Sequence, residues 1–290
     1  MTEINYNSAA SLRAFLDKNG FGMRKKFGQN FLINPGVRKA LVDALQAEEG
    51  ESVWEIGPGL GAMTRLLLDS GLKVCAFEID PGFAAALREI FAGDAGFSLV
   101  EGDVLKTWPS RPCAPYLLGN LPYNIAATLL ADFIENKIYF KRMVVTVQSE
   151  VALRMTAPAG SKNYSSFTVL CASAYTVKPL MHIKGASFYP RPNVDSRGVL
   201  FELKENAALQ NLPSCFYPLL RRLFSSRRKK IKNNLEEFLS SQSGQQNAGV
   251  LLPQITAAEA LEKSGIDGGL RPENLAFEDF ARLARTVEGQ

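Results

Sequence analysis

Histidine is almost absent from this chain of 290 residues, which contains a single one, His182. This scarcity argues against most zinc sites and against a catalytic triad that depends on a histidine base. We therefore interpret His182 as a partly exposed residue near a strand end. Cysteine is also scarce, because only Cys75, Cys113, Cys171 and Cys215 occur. They show no metal-ligand spacing, so we expect reduced, buried thiols and no metal site.

Long apolar runs and strong net charge are missing as well. No stretch approaches the ~20 apolar residues that span a bilayer, and the start of the chain lacks a charged segment followed by an apolar one. We therefore expect a soluble, cytoplasmic monomer. The net charge of +4 is too small to identify a partner, whereas 46% hydrophobic residues in a chain of this length predict one large domain and one small one.

A glycine-rich turn follows the first apolar strand, in the segment WEIGPGLGAMT. Gly57 and Gly59 let the backbone pass close to a ligand. The same glycines satisfy the relaxed dinucleotide pattern, so an NAD-dependent oxidoreductase remains an alternative, which a copurifying nicotinamide cofactor would revive. Glu55 favours S-adenosylmethionine, because its carboxylate suits the cationic amino-acid end of that cofactor and would oppose a pyrophosphate.

Polar residues end the next three predicted strands. LKVCAFEID ends in Glu78, where a carboxylate binds ribose hydroxyls, and FSLVEGDVL ends in Asp103, which is placed to accept from the adenine amine of the cofactor. PYLLGN delivers Asn120. Ligands of an open α/β sheet bind at the carboxyl ends of its strands, so these side chains are predicted to meet in one crevice.

The tetrapeptide that begins at Asn120 suggests a place for an adenine amine. That amine is a poor nucleophile, and hydrogen bonds to the Asn120 amide oxygen and to a carbonyl of Leu121 or Pro122 would free its lone pair. Tyr123 would stack on the base, and Phe188, in the proline-rich SFYPRP loop, would close over its other face. The alternatives are a plain strand-to-helix turn with a core tyrosine and a Phe188 that simply covers the core.

A basic segment lies in the last third of the chain, where no acidic residue occurs between Glu205 and Glu236. Leu220, Leu223, Phe224, Ile231 and Leu235 are predicted to face a core. The cations would then form a surface for RNA phosphates, with a solvated basic face as the alternative. The predicted RNA-binding residues are Arg221, Arg222, Arg227, Arg228, Lys229, Lys230 and Lys232.

The predicted organisation has three parts. Residues 1–24 form an N-terminal extension with a helix over 8–18, residues 25–206 form a Rossmann-like methyltransferase domain, and residues 207–290 form a small all-α RNA-binding domain. A helix is predicted to start at Asn34 and Pro35. MVVTVQ, FTVLCASAYTV and RGVLFEL are predicted to be the remaining strands, the last two antiparallel.

The motifs together resemble the ribosomal RNA adenine dimethyltransferase family, the KsgA/RsmA group, over nearly the whole chain. They are KKFGQNFL, EIGPGLGAMT, FEID, EGDVL, GNLPYNI, QSEVALRM, FYPRPNVDS and FSSRRKKIKNNL. The resemblance implies a class I, S-adenosylmethionine-dependent enzyme that dimethylates two adjacent adenosines near the 3′ end of small-subunit rRNA, with a role in small-subunit biogenesis. It implies cofactor contacts at Asn30, Leu32, Gly57, Glu78, Asp103 and Asn120. It implies target-base contacts at Asn120, Leu121, Pro122, Tyr123 and Phe188.

Two further alternatives stay open. The sister group that methylates large-subunit rRNA and confers macrolide resistance often carries NIPY where this chain has NLPY, and the basic FSSRRKKIKNNL segment also argues against it. A non-catalytic RNA-binding assembly factor would keep the fold without the reaction. Intact Glu78 and Asp103 argue against lost catalysis, and a cofactor-binding assay separates the two possibilities.

Overall fold

The computed structural model of the chain describes residues 4–21, 30–121, 125–205, 212–242 and 255–290. Contacts divide the chain into two compact units, Met1–Ala152 with Val177–Leu203, and Leu153–Thr176 with Lys204–Gln290. Residues 153–176 therefore belong to the second unit, whereas the sequence prediction placed them in the first domain. The functional division into extension, methyltransferase domain and RNA-binding domain stays a prediction.

Most of the strands form one sheet in the order β4-β3-β2-β5-β6-β9-β7. In chain order the described strands are β1 (Phe31–Leu32), β2 (Ser52–Ile56), β3 (Lys73–Glu78), β4 (Phe97–Glu101), β5 (Tyr116–Asn120), β6 (Arg142–Gln148), β7 (Tyr175–Ile183), β8 (Phe188–Tyr189) and β9 (Ser196–Leu203). The five strands β4, β3, β2, β5 and β6 run parallel, and β9 is antiparallel to β6. The carboxyl ends of the parallel strands thus share one edge, as the sequence predicted. The remaining strands, β1 and β8, pair with each other.

Helices alternate with the parallel strands. In chain order the described helices are α1 (Ala9–Lys18), α2 (Pro35–Asp43), α3 (Ala62–Asp69), α4 (Pro81–Ile90), α5 (Val104–Thr107), α6 (Ala126–Glu135), α7 (Ser149–Met155), α8 (Ser166–Ala174), α9 (Phe216–Phe224), α10 (Ile231–Gln242), α11 (Ala257–Lys263) and α12 (Phe277–Glu288). The start of α2 follows from its sequence, because the Asn34 side chain accepts from the Val37 N–H and Pro35 occupies the first helical position. No helix in the described ranges is long and apolar enough to cross a membrane.

The predicted strand FTVLCASAYTV is partly wrong, because its first two thirds form α8 and only its end starts β7. Ser165 caps α8: its hydroxyl accepts from the Thr168 N–H, and the Thr168 hydroxyl accepts from the Ser165 N–H. Val169, Leu170 and Cys171 are all buried. A helix that is apolar on every side has no 3.6-residue pattern, so its sequence is easily mistaken for a buried strand.

The N-terminal helix α1 lies where residues 8–18 predicted it. Leu12, Phe15 and Leu16 are buried and pack with Leu60 and Phe83 of the first unit. Residues that precede the predicted domain therefore contribute to the core beside the glycine-rich turn.

The second unit is helical in its C-terminal part. The five residues predicted to face its core, Leu220, Leu223, Phe224, Ile231 and Leu235, are all buried, which confirms that prediction. The Asn234 side chain is also fully buried, and its amide donates to the carbonyls of Leu223 and Ser226 at 2.9 and 3.3 Å. This amide satisfies carbonyls at the end of α9 that no intrahelical N–H reaches.

Candidate active site

A cavity of about 300 Å³ opens at the carboxyl ends of the parallel strands. It brings together every residue predicted to bind the cofactor except Glu55. Those residues are Asn30, Leu32, Gly57, Gly59, Glu78, Asp103 and Asn120.

The glycine-rich turn forms one wall of this cavity. Gly57 and Gly59 have φ angles of +71° and +59°, in the left-handed region that favours glycine. A Cβ on Gly57 would lie 3.2 Å from the Asn120 carbonyl oxygen, and one on Gly59 would lie 3.1 Å from the Phe31 ring. Side chains at these positions would crowd the cavity wall, which explains why the backbone must be bare here.

Glu78 ties this turn to the end of β3. One carboxylate oxygen accepts from the Gly59 N–H at 3.2 Å and the other from the Asp80 N–H at 2.9 Å. The side chain is only 5% exposed, and burial raises the pKa of Glu78 to about 7 although these hydrogen bonds favour its charged form. Glu78 is therefore a rigid acceptor on the cavity wall whose charge changes near neutral pH.

Glu55 is not among the residues that line the cavity, and the direct cofactor contact expected from the sequence stays a prediction. Its side chain is completely buried and accepts from the Thr64 hydroxyl at 2.6 Å. The other carboxylate oxygen has no hydrogen-bond partner in the described part of the chain. Burial, with a smaller contribution from the Glu78 charge, raises the pKa of Glu55 to about 7. This side chain of β2 faces α3, which carries Thr64.

Asp103 comes just after β4, which ends at Glu101 and not at Asp103 as predicted. Asp103 caps the short helix α5, and its Oδ1 accepts from the Leu105 N–H at 3.1 Å. The cap bond fixes the half-buried side chain at the cavity, where the carboxylate has further capacity to accept hydrogen bonds.

Asn120 ends β5, and its side chain is oriented by the backbone of a distant segment. The Asn120 Nδ2 donates to the Asn30 carbonyl oxygen at 3.0 Å. The amide group therefore presents its Oδ1 as the acceptor for a ligand. An oriented acceptor at this point is what polarisation of an amine requires.

The other predicted target-base residues do not line the cavity as described. Leu121 is 1% exposed, and its N–H donates to the Thr146 carbonyl, which extends the pairing of β5 with β6. Phe188 is 3% exposed, because pairing of β8 with β1 turns its ring into the core near Leu32. Its ring therefore presents no stacking face here. Pro122 and Tyr123 lie outside the described residues, as do the first five residues of KKFGQNFL.

Two polar side chains of the cavity escaped the sequence prediction, those of Tyr6 and Arg38. The Tyr6 hydroxyl donates to the Leu60 carbonyl at 2.9 Å, and burial raises its pKa to about 12. Arg38 is 5% exposed. The sequence offered one signal for Arg38: this cation follows Val37 and lies on the same face of α2 as Leu41, which packs in the core.

The basic segment of the second unit is partly neutralised by acids that follow it in sequence. Glu237 accepts from both Arg222 and Lys229, at 2.6 and 2.5 Å. Arg227 lies 4.0 Å from a carboxylate oxygen of Glu273. The repulsion among these cations is therefore weaker than the lack of interleaved acids in the sequence suggested.

The other predicted RNA-binding cations are more exposed to solvent. Lys232 lies 4.0 Å from Glu236, in a pair whose two side chains are both about half exposed. Arg221, Arg228 and Lys230 are exposed, and Arg228 and Lys230 form no ion pair with any described residue. Arg228 and Lys230 therefore have no carboxylate partner among the described residues, and the RNA-binding role of the segment stays a prediction.

Within the described ranges, no group of three or more His, Cys, Asp or Glu side chains is arranged so that it could hold a metal ion. His182 is exposed near the end of β7, as predicted, and its Nε2 lies 3.1 Å from Asp195. The cysteines are free, but only Cys171 and Cys215 are buried, and Cys113 is exposed. The prediction that all the thiols are buried is therefore wrong.

Residues 20–268 match the sequence profile of the family described as Ribosomal RNA adenine dimethylase. The Ribosomal RNA small subunit methyltransferase A of Treponema denticola is 44% identical over 294 aligned positions, which cover 98% of this chain and 96% of that protein.

Solved structures show the same fold. A dimethyladenosine transferase from Plasmodium falciparum superposes with a TM-score of 0.76 at 27% identity, covering 88% of this chain and 97% of that one. The 23S rRNA methyltransferase ErmE shares the fold with a TM-score of 0.62 at 23% identity, covering 88% of this chain and 98% of that one. This chain therefore belongs to the ribosomal RNA adenine dimethylase family, with an α/β Rossmann-like methyltransferase sheet and a helical C-terminal part.

Proposed function

We propose that this chain transfers methyl groups from S-adenosylmethionine to the N6 atoms of two adjacent adenosines in the 3′-terminal hairpin of small-subunit rRNA. The observation that carries the proposal is the Asn120 amide, which is held by the Asn30 carbonyl at the mouth of the cofactor cavity. The family membership supports the reaction, and the name of the Treponema denticola relative supports the small subunit as substrate.

The cavity residues fit the cofactor by their chemistry. The carboxylate of Glu78 accepts from the ribose hydroxyls and that of Asp103 from the adenine amine, since both groups are hydrogen-bond donors. The bare backbone at Gly57 and Gly59 provides room for the chain that carries the sulfur. Asn30 and Leu32 line the same cavity. S-adenosylmethionine supplies an activated methyl group on a sulfonium.

Asn120 performs the central step on the substrate side. Its Oδ1 accepts one hydrogen of the adenine amine while a carbonyl of the Leu121–Pro122 segment accepts the other, so the nitrogen lone pair leaves conjugation with the ring. The new N–C bond forms as the S–C bond breaks, the bonding pair stays on sulfur, and the amine proton passes to water. Because the proton becomes acidic only as the bond forms, the site needs no strong general base.

The remaining target-base contacts enter the proposal by resemblance. Tyr123 stacks on the extruded adenine from the segment just after Leu121. A stacking role for Phe188 requires its ring to leave the core, so this role stays a prediction. The exposed cations Arg228 and Lys230 bind phosphates of the rRNA.

The test is transfer of labelled methyl groups to small-subunit particles isolated without these modifications, with large-subunit RNA assayed in parallel. The proposal expects N6,N6-dimethyladenosine at two adjacent positions of small-subunit rRNA. Label confined to large-subunit RNA would place the enzyme with the macrolide-resistance methyltransferases. Cofactor binding without any label would indicate a non-catalytic assembly factor.

A further inference from the structure

Arg38 is a buried cation on the wall of the cavity, and three of its five N–H donors have a partner among the described residues. Its Nη1 donates to the carbonyls of Leu32 and Tyr6, at 2.6 and 3.0 Å, and its Nη2 donates to the side-chain oxygen of Asn7. The Nε–H is buried and has no hydrogen-bond partner in the described part of the chain. All three partner oxygens are uncharged, so the positive charge of Arg38 has no counterion among them.

A guanidinium held at this degree of burial normally has an anionic partner. Neither of the buried carboxylates Glu78 and Glu55 pairs with Arg38: Glu78 accepts from the N–H groups of Gly59 and Asp80, and Glu55 accepts from the Thr64 hydroxyl. No carboxylate of the described residues forms an ion pair with Arg38. The missing anion must therefore come from outside the described chain.

The cofactor supplies one group of the required kind. Its ribose hydroxyls and adenine amine are donors, which suit Glu78 and Asp103, whereas its amino-acid end carries the single carboxylate of the molecule. We propose that the Arg38 guanidinium, which lines the cavity together with Leu32, is the counterion of the α-carboxylate of S-adenosylmethionine. The inference rests on the proposed function, because it takes this cavity as the cofactor site.

A purely structural role is the competing explanation, since Arg38 also holds the segment around Tyr6 against β1. The two roles differ in what they do to ligands with and without a carboxylate. If Arg38 is the counterion of the carboxylate, its loss lowers the affinity only for the ligand that carries a carboxylate. If Arg38 only holds the structure together, its loss lowers the affinity for both ligands equally. The suitable pair is S-adenosylhomocysteine and 5′-deoxy-5′-(3-aminopropylthio)adenosine, which differ only in the carboxylate.

Calorimetric titration of both ligands into the wild type, Arg38→Met and Lys39→Met measures this difference. Lys39 is the matched control, because it is the next residue of α2 and its side chain is 72% exposed in a pair with Asp43. We expect the wild type and Lys39→Met to prefer S-adenosylhomocysteine by about 10- to 100-fold, as for a charge-assisted hydrogen bond, and Arg38→Met to bind both ligands within about threefold of each other.

A second measurement uses the wild type alone, in case Arg38→Met does not fold. In protein labelled with ¹⁵N-arginine, the Nε–H signal of Arg38 is expected to shift on addition of S-adenosylhomocysteine and to stay near its free position with the decarboxylated ligand. Equal wild-type affinity for the two ligands, or equal loss of both in Arg38→Met, would overturn the inference. Binding of neither ligand by the wild type would overturn the proposed function and this inference with it.

Discussion

Replacement of Asn120 by alanine removes both the acceptor for the target amine and the bond to the Asn30 carbonyl. Loss of an oriented acceptor in a transition state typically lowers kcat by about 10²- to 10³-fold, or about 3–4 kcal/mol. The lost bond to Asn30 costs about 1 kcal/mol, which weakens cofactor binding by about fivefold. We therefore expect turnover to fall far more than cofactor affinity.

Single-turnover methyl transfer at saturating S-adenosylmethionine measures the first quantity, and calorimetric titration with S-adenosylhomocysteine measures the second. Asn136→Ala is the matched control, because Asn136 is an exposed asparagine whose Nδ2 also donates to a backbone carbonyl, that of Asp132. The control should leave both quantities unchanged. A near-wild-type rate in Asn120→Ala would refute the polarising role of Asn120, as would equal losses in rate and cofactor affinity.

Three other predictions concern pH, backbone and core. The pKa of Glu78 near 7 means that this carboxyl loses its proton as pH rises from 6 to 8. Because ligand hydroxyls prefer the charged carboxylate, calorimetry should show that the affinity for S-adenosylhomocysteine rises over this range, with protons released on binding at its lower end. A falling affinity would contradict the assignment of Glu78 as the acceptor. Gly59→Ala places a Cβ 3.1 Å from the Phe31 ring on a backbone with φ +59°. This substitution should lower the free energy of unfolding by about 1–2 kcal/mol and weaken the binding of S-adenosylhomocysteine. An unchanged melting temperature and an unchanged affinity would show that the turn relaxes freely. Asn234→Ala leaves the buried Leu223 carbonyl unpaired. Urea unfolding should show a free energy of unfolding lower by about 1–3 kcal/mol, with no change in cofactor affinity. A weaker cofactor affinity would mean that the effect of the substitution is not confined to the helical unit.

The strand ends of the sheet were predictable because parallel strands align their carboxyl ends whatever the side chains between them. Gly57, Glu78 and Asn120 each follow or end an apolar run, and the structure places all three on one cavity. Local sequence is sufficient for such a prediction, since strand direction and chain order together determine which edge of the sheet a residue reaches.

Sequence alone was a weaker guide where a facing element decides which way a side chain points. Glu55 and Phe188 lie close in sequence to cavity residues, but α3 and β1 respectively turn their side chains away from the cavity. The run through Leu170 formed a helix because the Ser165 cap and burial on every side outweighed its strand-like composition. Arg38 was missed because two of its three partner oxygens belong to Tyr6 and Asn7, 32 and 31 residues earlier in the sequence.

The most direct test of the account is nucleoside mapping of small-subunit rRNA after incubation with S-adenosylmethionine and either the wild type or Asn120→Ala. The account predicts two methyl groups on N6 of each of two adjacent adenosines with the wild type, and only traces with Asn120→Ala. Methylation at any other site, or full dimethylation by the variant, would contradict it.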